Sequence, residues 1–95
     1  MVEEGDNRRE RRQRVLKGAA IINGINNSEI SCTIRNQNVG GAELKVPVEA
    51  LVPEHFLLYV PTDGVAYRSV LRWRRNDRVG VQFTETVPKP RLHYG

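Results

Sequence analysis

Ile30-Ser31-Cys32-Thr33-Ile34-Arg35-Asn36-Gln37-Asn38-Val39-Gly40-Gly41-Ala42-Glu43-Leu44-Lys45-Val46 holds two runs of alternating character around a tight bend. Ile30, Cys32 and Ile34 point one way, and Ser31, Thr33 and Arg35 the other. After the bend at 37–41, Ala42, Leu44 and Val46 share a side, with Glu43 and Lys45 opposite. A period of two places successive side chains on opposite faces of a strand, so both runs read as half-buried β-strands. The same texture continues outward. Residues 15–22 read as an earlier strand, closed by the turn pair Asn23-Gly24 and extended by Asn26-Asn27-Ser28. Residues 48–55 form a connection broken by Pro53, with room for one helical turn. Residues 56–60 are a short apolar strand closed by Pro61. Thr62-Asp63-Gly64 is a hairpin signal, in which Asp63 is expected to bond its own backbone. Residues 65–74 read as a long strand with Leu71 and Trp73 on one face and Arg72 and Arg74 on the other. Asn76-Asp77 turns the chain into a last strand over 79–83, with Val79, Val81 and Phe83 on one face.

Six short strands separated by turn residues read as an all-β fold, a small antiparallel barrel or sandwich. A barrel leaves no exposed strand edge. The 95 residues suffice for one domain. Three parts are expected: a flexible arginine-rich arm over 1–14, the β-domain over 15–86, and a tail over 87–95. Pro88 and Pro90 predict that the tail does not continue the sheet. Hydrophobic residues make up 39% of the chain and charged residues 27%, ordinary values for a globular protein. No apolar run approaches the roughly 20 residues that span a membrane. The start of the chain does not resemble a secretory signal, so a cytoplasmic location is expected and no membrane partner.

The net charge of +4 favours anionic partners. It is concentrated: Arg8, Arg9, Arg11, Arg12, Arg14 and Lys17 stand near Glu10 alone, and Arg72, Arg74, Arg75 and Arg78 form a second run. Guanidinium forks match phosphate oxygens two at a time. The arm also suits nucleic acid, but the aromatic residues form no stacking ladder of the single-strand-binding kind, which weighs against that partner. Catalysis finds little support. His55 and His93 stand apart, and with the single Cys32 they make no zinc pattern. Cys32 reads as a buried thiol. Residues 39–42 are not followed by a helix pattern, which excludes a phosphate-binding loop of the Walker or Rossmann type. No nucleophile, base or metal set is identifiable, so no enzyme activity and no cofactor are expected.

Taken with the strand pattern, the arm and the bend resemble the PilZ domain family, six-stranded β-barrels that bind cyclic di-GMP in bacteria. The family carries Arg-x-x-x-Arg before the first strand. Its second element is Asp or Asn, any residue, Ser, any two residues, then Gly. Arg8 and Arg12 have the first spacing, while a register using Arg14 would put Glu10 in the first place. Asn36, Asn38 and Gly41 occupy the second element, with Asn38 where the family has Ser, and Ala42 follows. Residues 70–74 and 79–83 look like the closing hairpin of such domains. The resemblance implies a six-stranded antiparallel β-barrel with cyclic di-GMP as ligand and a downstream protein partner. It implies that Arg8 and Arg12 clamp phosphate and a guanine edge, and that Arg9 or another arm arginine stacks on a base. Asn36 would bond a guanine edge, Asn38 would stand at the Ser place, and Gly41 would give clearance for the ligand. The alternative is a degenerate PilZ domain that no longer binds the nucleotide and acts as a protein-interaction module.

Overall fold

The computed structural model describes residues 13–24 and 28–88, and side chains from Leu16 onward. Expectations for the rest, including Arg8, Arg9, Arg12 and His93, lie outside the described residues. Six strands follow in order: β1 Gln13–Asn23, β2 Ser28–Asn38, β3 Gly41–Lys45, β4 His55–Val60, β5 Val65–Arg75 and β6 Arg78–Pro88. They close into one barrel in the order β1-β2-β3-β6-β5-β4, with every neighbouring pair antiparallel. The β1–β4 ladder makes the closure, through Ala20 opposite Tyr59, Ile21 opposite Leu58 and Ile22 opposite Leu57.

The alternation read from the sequence fills the interior. Cys32 and Ile34 of β2, Ala42 and Leu44 of β3, Phe56, Leu58 and Val60 of β4, and Val79 and Val81 of β6 are buried around Ile21 of β1. Burial pushes the Cys32 thiol up to about 12, which makes it an inert packing group. Truncating a side chain as buried as Leu44 or Leu58 to alanine costs about 2–5 kcal/mol in cores of this kind.

Three expectations need correcting. Val87 and Pro88 do continue the sheet, paired with Ala66 and Val65. Pro88 is tolerated because it is the last residue of β6, where one missing N–H interrupts no ladder. The 48–55 connection contains no helix. It makes one turn, Ala50 N–H to the Pro47 carbonyl, and Arg74 pins it from β5. The Arg74 guanidinium donates to the carbonyls of Ala50 at 2.6 Å, Val48 at 3.1 Å and Pro47 at 3.4 Å. Finally, Leu71 and Trp73 do not share a face. The β5–β6 register shifts between them, leaving Arg72 as an extra residue. Leu71 packs against the core, while Trp73 stands opposite Gly80 and is 47% exposed. A bulge inverts the facing of everything beyond it.

Candidate functional site

The bend at 37–41 is a hairpin with two residues, Val39-Gly40, at its tip. β2 runs to Asn38, which pairs with Gly41 at the start of β3. Asn38 explains how so tight a turn holds. Its Oδ1 accepts the Gly40 N–H at 2.8 Å and the Gly41 N–H at 3.0 Å. A short side-chain carbonyl so placed takes the role a backbone acceptor would have. The Gly40 carbonyl then accepts the Phe83 N–H of β6 at 2.9 Å, tying the tip to the neighbouring strand. Gly41 is required for a different reason: a Cβ there would meet the carbonyl oxygen of Val81. The clearance this glycine provides is taken by β6.

Asn36 pairs with Glu43 on the outward side of the barrel, and its Nδ2 donates to Glu43 Oε1 at 3.0 Å. Arg78 Nη1 donates to Glu43 Oε2 at 2.6 Å. One carboxylate thus joins β2, β3 and β6 on the surface beside the hairpin. A depression of about 360 Å³ lies there, bordered by Asn38, Gly41, Glu43, Arg72, Trp73 and Gln82. That volume falls within the usual range for small-ligand sites. Trp73 lies over Gly80, where any side chain would collide with the indole. Reading the sequence missed Arg72 and Trp73 as part of this surface because the bulge that turns them is not marked by any residue type.

The β1–β2 ladder sets the start of β1 beside the second motif element. Gln13 pairs with Gln37 and Arg14 with Asn36, so the chain leaving the arm enters the sheet beside the motif strand. Arg8, Arg9 and Arg12 precede that point and are outside the described residues.

Gln37 turns away from Asn36 and Asn38 into a second polar group. Lys17 Nζ donates to Gln37 Oε1 at 2.9 Å and to Asp63 Oδ1 at 2.8 Å, and Gln37 Nε2 reaches Asp63 Oδ2 at 3.4 Å. Tyr67 Oη donates to Asp63 Oδ2 at 2.6 Å, and its ring stacks on Phe83 with centroids 4.3 Å apart. Asp63 is therefore more than the turn residue expected of it. Burial pushes its carboxyl up, but hydrogen bonds from Lys17, Tyr67 and Gln37, with the Lys17 charge, hold it below the usual value. Burial, then the bond to the Asp63 carboxylate and its charge, push the Tyr67 hydroxyl up to about 12. The cluster links β1, β2, β5 and the β4–β5 turn. Lys17, Gln37 and Asp63 are far apart in the chain, so no local pattern announces them.

His55 is exposed at the start of β4. Among the described residues no group of three His, Cys, Asp or Glu side chains is arranged to hold a metal ion.

A family model described as the PilZ domain matches residues 6–92 of the chain. No curated protein matches it.

Proposed function

The chain belongs to the PilZ domain family, a family of cyclic di-GMP-binding adaptors rather than enzymes, and from that premise we propose that it is a cytoplasmic receptor that binds the dinucleotide and presents the changed surface to a partner protein. The observation that carries the reading is the β1–β2 register, which brings the chain out of the arm beside Asn36. In this reading Arg8 and Arg12 clamp a phosphate and the O6 and N7 acceptors of a guanine, which guanidinium forks suit. Arg9 stacks on a base face. Asn36 meets a guanine edge, while Asn38 and Gly41 keep the hairpin tip compact enough for the ligand to approach. Ordering the arm consumes part of the contact energy. Calorimetric titration of cyclic di-GMP tests it: binding is expected, and Arg12→Ala weakens it at least tenfold, about 1.4 kcal/mol. No heat and no chemical-shift change at high ligand excess overturns the proposal.

One observation favours a second reading, a degenerate domain acting as a protein-interaction module. Asn38 spends its carbonyl oxygen on the hairpin tip, and Gly41 spends its clearance on Val81. If this is the function, the natural protein binds no cyclic di-GMP, and Asn38→Ser, which restores the family's residue, gains binding in the same titration.

A further inference from the structure

Closing the barrel does not pair every strand along its whole length. β2 has 11 residues and β3 has 5. Their ladder runs from Asn38 opposite Gly41 to Thr33 opposite Lys45. There Val46 turns away, donating its N–H to the Asp77 carbonyl at 2.8 Å. β2 continues past that point through Cys32, Ser31 and Ile30, and among the described residues only β1 pairs with this part of it. N–H and C=O groups point alternately to the two sides of a strand, so the side away from β1 presents an open edge. A depression of about 370 Å³, bordered by Ser31, Cys32, Val46 and Pro47, leaves room beside it.

We infer that this edge pairs with the same edge of a second copy of the chain, antiparallel about Ile30, so that one sheet runs through two barrels. The residues of the edge are complementary to themselves in that register. Ile30, half-buried and packed against the core, meets Ile30 of the copy, and Cys32 meets Ser28 on the same face. On the outward face the exposed Ser31 meets the exposed Glu29, where a hydroxyl can donate to a carboxylate. No like charges stand opposite each other. The run also lacks the proline and lysine that commonly blunt an open edge. Two equivalent edges related by a two-fold axis satisfy each other, so the assembly stops at a dimer instead of growing into a fibre. The paired run is short, which places the dimer among weak contacts, with a Kd of ~0.1–1 mM. It lies toward the opposite end of β2 from Asn36 and Asn38, so the inference does not rest on the cyclic di-GMP reading.

The test is sedimentation equilibrium of the full chain without nucleotide, from ~10 μM to ~1 mM. The natural protein is expected to pass from monomer to dimer across that range. Two substitutions of one exposed side chain then fix the register. Ser31→Lys sets opposite charges across from Glu29 twice in each dimer and is expected to tighten association at least ~threefold. Ser31→Glu sets like charges there and is expected to weaken it by at least ~threefold. Since Ser31 faces outward and is exposed, neither change disturbs the core. A natural protein that stays monomeric at ~1 mM overturns the inference. So does a dimer that ignores both substitutions, or that both shift in the same direction, because it is then built on another face. None of these outcomes bears on nucleotide binding, which the calorimetric titration decides separately.

Discussion

Gly41 and Gly80 both lack a side chain for want of room, but what fills the room differs. At Gly41 the obstacle is the backbone carbonyl of Val81, which moves only if β6 moves. At Gly80 it is the Trp73 indole, a half-exposed side chain free to swing outward. Overpacking against a fixed neighbour costs about 1–3 kcal/mol. Gly41→Ala is therefore expected to lower the unfolding free energy read from urea melts by that amount, and Gly80→Ala by distinctly less. Equal losses in a chemical melt would refute the distinction. A glycine at 41 was legible as part of a bend, and as the last motif residue. Its packing reason was not legible, because Val81 is forty positions further along the chain. Asn38 has the same history. As a turn residue it was visible from its type alone, while its hold on the Gly40 and Gly41 amides depends on the two-residue tip that only the folded hairpin reveals.

Among the elements, the alternating strands were readable because burial on one face imposes the period directly. The misassigned Trp73 marks where that logic stops: one extra residue at Arg72 reverses inside and outside, and the depression beside the motif gains an aromatic wall that periodicity had put on the same face as Leu71. The link from β1 and β2 to the β4–β5 turn was equally hidden, since Lys17, Gln37, Asp63 and Tyr67 meet only across the barrel. That link has a pH signature. The Asp63 carboxyl titrates below its ordinary value of 3.8 in the folded chain. The stability it contributes is thus present above that value and is lost as pH falls through the lower, folded one. Tyr67 behaves oppositely. Raised from 10.0 to about 12, it contributes stability that is complete below 10.0 and is lost as pH rises toward 12. Asp63→Asn is expected to lose about 1–3 kcal/mol at neutral pH, the penalty for weakening half-buried hydrogen bonds to a charged group, with the loss shrinking in strong acid. Tyr67→Phe is expected to flatten the alkaline limb. Thermal melts across pH check both, and a pH-independent difference for Asp63→Asn would show that the carboxylate charge is irrelevant.

For the whole molecule, one-sided strands left barrel and sandwich equally open, because each buries one face of every strand. What distinguishes them is the ladder between the first strand and the fourth, a pairing across more than thirty residues that no local signal carries. Among the described residues that ladder is also the shortest seam of the barrel. It covers only residues 20–22 against 57–59, whereas β5 and β6 pair along their full lengths from Val65–Pro88 to Arg75–Arg78. Backbone groups in a short ladder share fewer neighbours, so local opening should begin there. β1 carries this seam toward one end and meets the motif strand, at Gln13 and Arg14, toward the other. A ligand bound at this end of β1 and β2 would therefore also hold β1 in place, and the seam would tighten without touching the ligand. Native-state hydrogen exchange is expected to show Ala20, Ile22, Leu57 and Tyr59 amides opening at lower free energy than those of β5 and β6. On adding saturating cyclic di-GMP, the seam amides should slow more than the β5–β6 amides do. Uniform slowing across the barrel would mean that binding stabilises the fold as a whole and that β1 transmits nothing in particular. Seam amides that already match β5 and β6 without ligand would remove the weak joint on which the coupling depends.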